Sequence, residues 1–495
     1  MKNKLLLNQI ALLGAALVFL APVIDAQSTS SNSPLSNSIA TPRPFDPGTN
    51  TTNPSALAVQ AQNPYLGSVA TRPLTLGVLP LSLTEVVDLG LKANLGLIDT
   101  EQEHAQSRAA RMRALSVLLP QLNAELIGAF RDFPLNTIGA QKLGLPNMIG
   151  NFNYQTADIS LQQKVLDISA LHEVKASHAE EQVSEASLAD ARNIVVLAST
   201  SAYLQVLASQ SRVQEAQAEQ ASSQALESLL KDRVKREVSP EIDAIRATVT
   251  RESAEQRLAL AQVRLEKDKL GLTRIIGLPV EQEFTLTTDL GFTKAPQQDL
   301  DTLVQEATAS RQDLKAAAAR VEYSKQLVKA QTAKRLPELE IKANGGETGV
   351  NFGHAYGTYE VAGRLSVPIF TGRRIEADVL TAEATLHRRE AEYQDLQQRT
   401  RYDVRSAVLD LRAADTSVEV AKTNLHLAKE GLRQAKDRFE AGVSNSLELI
   451  QAQQAVASAE DNDIASVYAH NLAKLLLVRS TGTAERDYTT YLGVQ

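Results

Sequence analysis

Twice along this chain, a long Ala-rich segment with helical patterning changes at a proline into alternating apolar and polar residues. The first change lies in LLPQLNAELIGAF, residues 118–130, and the second in RLPELEIKANGG, residues 335–346. A proline has no amide hydrogen to donate, so it interrupts a helix, yet it is tolerated as the first residue of a strand. The sequence therefore predicts helices that pass into strands at two equivalent points.

Both points belong to two copies of one longer unit. Segments 269–277 and 474–482 align, as do 238–247 and 443–452. Six residues of the first copy match six of the second in order: Leu83, Val87, Leu97, Leu119, Pro120 and Leu122 with Leu300, Val304, Leu314, Leu336, Pro337 and Leu339. Each unit is predicted to contain a helix, two strands, a long helix, a tight turn and a last helix. Repeat 1 covers 79–285, a linker covers 286–299, repeat 2 covers 300–483, and a tail covers 484–495.

The N-terminus has the pattern of an export signal. Lys2 and Lys4 precede an apolar run, and the small residue Ala26 ends it. We predict a signal peptide over 1–26 rather than the alternative, a membrane anchor, because the run is short and polar sequence follows it. Residues 27–78 are rich in Ser, Thr, Asn and Pro and are predicted to be a flexible leader. The chain has no cysteine, so it cannot form disulfides or carry a lipid on an N-terminal cysteine.

The helices are predicted to be long and to pack as coiled coils. From about 376 to 440, Gly431 is the only helix-breaking residue, and this length corresponds to roughly 90–100 Å of helix. Apolar residues recur at alternating spacings of three and four, which predicts a coiled-coil seam: Leu411, Ala414, Val418, Ala421, Leu425, Ala428, Leu432, Ala435 and Phe439.

The strand segments are predicted to be two membrane hairpins, at about 121–165 and 338–370. Apolar and polar residues alternate with period two, as in Leu339, Ile341 and Ala343 against Glu340, Lys342 and Asn344, which is typical of strands in a membrane β-barrel. The alternative is a soluble sheet with one covered face. Eight of the 21 aromatic residues lie in these short regions, which favours a membrane because aromatic side chains collect at its interfaces: Phe130, Phe133, Phe152, Tyr154, Phe352, Tyr356, Tyr359 and Phe370.

Four strands are too few for a barrel. An open sheet edge in hydrocarbon leaves backbone groups unpaired, and the smallest bacterial barrels have about eight strands. Several copies of the chain are therefore expected to share one barrel.

Several classes of function are disfavoured. The net charge is −7 and the chain has no dense basic block, which argues against nucleic acid as a partner. The seven histidines show no metal-binding spacing, and neither a phosphate loop nor a calcium loop is present. His172, His178 and the acidic segment 460–463 are interpreted as helix surface. We expect no catalytic residues, no cofactor and no metal.

Together these features resemble the TolC-like outer-membrane efflux protein family over about residues 79–482. The resemblance rests on both Leu-Pro-x-Leu motifs, on LSLTEVVDLGLKANLGLI (81–98), on LSVPIFTGRR (365–374) and on AGVSNSLELIQAQQ (441–454). It implies a mixed α and membrane-β fold: a homotrimer with a twelve-strand barrel, four strands per protomer, that continues into a twelve-helix periplasmic tube. Leu95 and Gln312 replace a proline that often breaks the opening helix of each repeat in the family, so that break is in doubt here.

The resemblance also implies a function for the two turns between the long helices. We call residues 236–243 the first tip and residues 438–448 the second tip. In related proteins such tips form the periplasmic entrance. The resemblance implies gate or selectivity roles for Asp243, Arg246, Glu448, Gln451 and Phe439, and adaptor contacts for Arg236, Ser239, Arg438, Gly442 and Ser444. Repeat 1 has Glu237 where repeat 2 has Gly442, so the two tips are expected to differ in shape.

The implied function is an outer-membrane exit duct for efflux or type I secretion. A periplasmic adaptor and an inner-membrane RND, ABC or MFS transporter would be its partners, together with outer-membrane lipid. The alternative is a periplasmic coiled-coil adaptor or stalk without a pore. The sequence does not identify the cargo.

Overall fold

The computed structural model describes residues 63–70, 72–75, 77–135, 148–296, 298–350 and 352–494. The predicted signal peptide and the leader up to residue 62 lie outside these residues. In the described chain, one order of elements occurs twice. The first series is β1 (Leu79–Leu81), α1 (Leu83–Ala93), α2 (Leu95–Ser116), β2 (Gln121–Pro134), β3 (Met148–Leu166), α3 (Ile168–Lys235) and α4 (Glu241–Ile276). The second is β4 (Phe284–Leu286), α5 (Leu300–Ser310), α6 (Gln312–Ala333), β5 (Glu338–Gly349), β6 (Ala355–Ser366), α7 (Arg374–Glu440) and α8 (Ser446–Thr481), and α9 (Ala484–Leu492) follows.

The end of the predicted leader is structured, which corrects the expectation of a flexible segment up to residue 78. Residues Pro64–Leu66 form a 3-10 turn. The Asn94 side chain donates to the carbonyl of Tyr65 (2.7 Å), and the amide of Leu95 donates to the carbonyl of Gly67 (2.9 Å). These contacts attach the segment to the start of α2.

The break in each opening helix is present without a proline. Asn94 and Arg311 both have extended backbones, with ψ of 127° and 122°. Asn94 is buried and its side-chain oxygen accepts from the amides of Gly96 and Leu97, which caps α2. Arg311 is buried and forms ion pairs with Asp313 (2.6 Å) and Asp403 (3.1 Å). Side-chain contacts therefore stabilise both breaks without a proline.

The two longest helices are α3, with 68 residues, and α7, with 67, each about 100 Å long. Every residue of the predicted α7 seam is buried or half-buried, so the seam is confirmed. Among the described helices, α3 alone is long and apolar enough by composition to cross a membrane, and half of its most apolar window is buried within the protein.

Four helices lie side by side in each half of the helical part. Near the sheet the order is α2, α3, α6, α7, and toward the tips it is α4, α3, α8, α7. The outer helices α2, α4 and α7 carry exposed apolar side chains: Met112, Leu115, Ile245, Val249, Leu260, Val263, Leu380, Leu409, Val420 and Leu427.

Buried polar side chains of α8 hold the linker, which runs from β4 to α5. Asn471 donates to the carbonyl of Leu290 (3.2 Å), and the Lys474 ammonium donates to the Thr293 hydroxyl (2.8 Å). The His470 ring lies tilted against Phe292, with 4.7 Å between ring centroids. Burial lowers the pKa of Lys474 to about 8, so fixing the linker has an electrostatic cost.

The strands form one antiparallel sheet in the order β2-β3-β5-β6. Both hairpins begin directly after the predicted switch prolines, Pro120 and Pro337. The register pairs Leu126 with Ala157, and Ala343 with both Leu161 and Val361, so apolar residues of all four strands share one face. That face includes Leu122, Leu126, Phe130, Ile159, Leu161, Leu339, Ile341, Ala343, Tyr359, Val361 and Leu365, most of them exposed.

The opposite face of the sheet is mostly polar, and it carries Asn123, Glu125, Asp158, Ser160, Lys342, Asn344, Thr358 and Glu360. Within the described residues, β2 and β6 each pair on one side only. The chain thus exposes an apolar sheet face and two open edges.

Candidate functional site

The two tips lie at the ends of α3 and α7 that are farthest from the sheet. Because α3 and α7 start within eight residues of β3 and β6, each tip is separated from the sheet by about 100 Å of helix.

The backbones of the two tips are the same, which corrects the expectation that they differ. Glu237 has φ of 58° and Gly442 has φ of 76°, so both adopt the left-handed conformation. The amide of Glu237 donates to the carbonyl of Val234 (2.9 Å), as the amide of Gly442 does to that of Phe439 (3.2 Å). Glycine adopts this left-handed conformation at little cost, whereas glutamate is strained in it. Glu237 adopts it because the hydrogen bonds at the end of the helix outweigh that strain.

The first tip has a glutamate and the second a glycine at the left-handed position. Substitutions at these two positions should therefore have opposite effects on the free energy of unfolding. Glu237→Gly should stabilise the protein by about 1 kcal/mol, because it removes the left-handed strain of a residue with a Cβ. Gly442→Ala should destabilise it by about 1 kcal/mol, although the added Cβ would meet no atom within 4 Å. Chemical denaturation measures both changes. If both substitutions changed the free energy of unfolding in the same direction, Glu237 would not be strained.

The two acidic candidates occupy equivalent positions. Asp243 is the third residue of α4, and Glu448 is the third residue of α8. Asp243 accepts from the Ser446 hydroxyl (2.6 Å) and lies 3.7 Å from Arg246. Because Ser446 begins α8, this bond connects the two tips.

Glu448 is held within the second tip. Its carboxylate lies 3.3 Å from the Arg438 guanidinium and accepts from the Ser444 hydroxyl. Its backbone amide donates to the side-chain oxygen of Asn445 (3.0 Å), which caps α8. Both acidic side chains are half-buried, so each keeps partial contact with solvent.

Phe439 packs inside the tips and does not lie on their surface. It is buried, and the Arg233 guanidinium lies 4.3 Å from its ring centroid, a cation–π distance. Its cluster joins residues from four helices: Leu226, Leu230, Ala247, Ala435, Leu449 and Ile450. Phe439 therefore packs the ends of the four helices together.

The other candidates lie at the surface of the tips. Arg236, Arg438, Gly442 and Gln451 are exposed, and Ser239 is half-buried. Ser446 and Arg233 were not singled out by the sequence analysis, since a serine that begins a helix and an arginine near a helix end have ordinary local explanations.

Comparisons with known proteins find the same fold in outer membrane channels. Residues 303–483 match the family described as outer membrane efflux protein. The Campylobacter jejuni CmeC outer membrane channel superimposes with a TM-score of 0.73 at 17% identity, covering 85% of this chain and 92% of that one. The VceC outer membrane protein of Vibrio cholerae gives a TM-score of 0.69 at 19% identity, covering 81% and 96%. The open-state MtrE outer membrane channel of Neisseria gonorrhoeae gives 0.69 at 20% identity, covering 81% and 89%. No curated protein sequence matches the chain.

The resemblance to TolC-like outer-membrane efflux proteins is thereby confirmed. The name of the matching family agrees with the expected location in the outer membrane, with the helices in the periplasm. The family is one of efflux channels and not of enzymes.

Proposed function

We propose that three copies of this chain form one exit duct, with a twelve-strand barrel in the outer membrane. The observation that supports this most is the sheet with one apolar, exposed face and open edges at β2 and β6. Strands β2 and β6 run in opposite directions within the sheet, so β6 of one copy can pair antiparallel with β2 of the next. Three sheets then close without an edge, with apolar residues toward lipid and polar residues toward the lumen.

The helices support the same assembly. Helix α7 is an outer helix in both halves, next to the open side that α2 and α4 of another copy would cover. The exposed apolar side chains on these three helices would be buried there, which favours association. A pore-less adaptor or stalk is disfavoured, because it would leave the apolar sheet face in water.

In this duct, cargo moves passively through the barrel and the helical tube. Energy would come from an inner-membrane transporter, and a periplasmic adaptor would contact the tip residues Arg236, Ser239, Arg438, Gly442 and Ser444. The polar face of the sheet, with Glu125, Asp158 and Glu360, suits a water-filled lumen.

At the tips, Asp243 and Glu448 of three copies would form a ring of six carboxylates that attracts cations at the entrance. Fixed carboxylates in a narrow opening raise the local concentration of cations and set selectivity. The hydrogen bond from Ser446 to Asp243 and the ion pair between Arg438 and Glu448 hold these groups in place.

The ring is tested with Asp243→Asn combined with Glu448→Gln, which removes charge and keeps hydrogen bonding. In planar bilayers, the preference for cations over anions should fall by roughly a factor of two to five, since part of the focusing field is lost. Glu241→Gln is the matched control, because Glu241 is an exposed acidic residue at the same tip. The ring would be contradicted if Glu241→Gln lowered the cation preference as much as the double variant does. It would also be contradicted if neither variant changed that preference.

A further inference from the structure

The junction between β6 and α7 combines exposed apolar side chains with exposed arginines. Ile369 is 95% exposed and Phe370 is 86% exposed. Ile369 lies two residues after Val367 and four after Leu365, a residue of the apolar sheet face. Exposed apolar side chains therefore follow the end of β6 directly.

Two arginines follow at once. Gly372 and Arg373 both have left-handed backbones, with φ of 59° and 66°, and this turn brings Arg373 and Arg374 to the start of α7. Arg373 has an 87% exposed side chain, 3.7 Å from Glu376, and Arg374 is exposed. The macrodipole of α7 disfavours positive charge at its N-terminus, and the pair with Glu376 offsets the charge of Arg373 but not that of Arg374.

The neighbouring junction adds two more positive charges. Glu338, the first residue of β5, pairs with Ser366, the last residue of β6. Lys334 and Arg335 come just before β5 and are exposed, so the register places them at the same end of the sheet.

The corresponding junction of the first series is different. There Asp167 caps α3 by accepting from the amide of Ala170 (2.8 Å), and it pairs with Lys164 (2.8 Å). Its charge is balanced within the chain. The junction in the second series is instead a basic and apolar surface at the periplasmic end of the sheet.

We propose that this surface, formed by Ile369, Phe370, Arg373 and Arg374 with Lys334 and Arg335, binds anionic phospholipid of the periplasmic leaflet of the outer membrane. The proposal rests on the barrel described above. Ile369 and Phe370 enter the boundary between acyl chains and headgroups, where aromatic side chains are favoured. The arginines contact headgroup phosphate, which guanidinium groups bind in a bidentate manner. The surface fixes the height of the barrel in the membrane.

Native mass spectrometry of the protein in detergent, with phosphatidylglycerol or phosphatidylcholine added, tests the proposal. The wild type should retain phosphatidylglycerol in preference. Arg373→Gln with Arg374→Gln should reduce that preference about tenfold or more, because each charge near an anionic headgroup contributes severalfold to binding. Ile369→Ser with Phe370→Ser should reduce retention of both lipids.

The matched control is Arg388→Gln with Arg389→Gln, an arginine pair about 20 Å farther along α7. It should keep the lipid preference. An equal loss in this control, an unchanged preference in the Arg373 and Arg374 variant, or displacement of the lipid by excess inorganic phosphate would overturn the proposal. The same spectra report the mass of the assembly: a trimer without lipid preference contradicts the anchor alone, whereas a monomer contradicts the proposed barrel as well.

Discussion

Val361→Lys should prevent stable insertion of the protein into the outer membrane. Val361 lies on the apolar face of β6 and is 72% exposed within the chain, so a lysine would fit without any steric conflict in the monomer. In a barrel the same lysine faces hydrocarbon, at about 2–4 kcal/mol near the middle of the membrane. Because each of the three copies in the barrel contains the lysine, the trimer has this cost at three positions. Outer-membrane fractionation and heat-modifiable migration measure the loss.

Thr358→Lys is the control for this experiment. Thr358 lies three residues away on the opposite, polar face of the same strand and is also exposed. Its lysine would face the lumen, on the sheet face that carries Glu125 and Asp158, so membrane assembly should remain near wild type. If Val361→Lys assembled as well as Thr358→Lys, the apolar face would not contact lipid and the proposed barrel would be wrong.

Arg311→Met should destabilise the helical part by about 3 kcal/mol. Arg311 is buried at the break between α5 and α6 and forms ion pairs with Asp313 and with Asp403 of α7. Removing a buried partner leaves carboxylates without compensation, which costs about 3–5 kcal/mol. Chemical denaturation in detergent measures the change. Arg486→Met is the control, because the ion pairs of Arg486 with Glu306 and Asp487 are at the surface and should contribute at most about 1 kcal/mol.

The effect of Arg311→Met should depend on pH. Burial by itself would raise the pKa of Asp313, but the ion pair with Arg311 outweighs burial and holds that pKa below its usual value. A carboxyl whose pKa is lowered by folding stabilises the protein above its ordinary pKa, and this contribution is lost as the pH falls through the folded pKa. The difference between wild type and Arg311→Met should therefore shrink below about pH 4. A difference that stayed constant at acid pH would mean that the ion pair does not carry the effect.

The sheet and the long helices could be predicted from the sequence because their signals are local. Period-two alternation in residues such as Leu339, Ile341 and Ala343 assigns a face within a few residues, and the seam from Leu411 to Phe439 does the same for a helix. The tips could be located too, because the predicted lengths of α3 and α7 give the positions of the turns at their ends. The backbone of the first tip was predicted wrongly, because whether Glu237 accepts left-handed strain depends on the hydrogen bonds at the end of α3.

By itself, then, the sequence determined the kind of each long element, the apolar face of the strands and the position of the two tips. Only the tertiary structure decided that Ser446 bonds to Asp243 across 203 residues, that Arg311 joins a helix break to α7, and that residues 63–69 pack at the start of α2. Periodicity records which side of an element is buried. It does not record which distant side chain completes a hydrogen bond or an ion pair there, because that depends on how the separate elements meet in three dimensions.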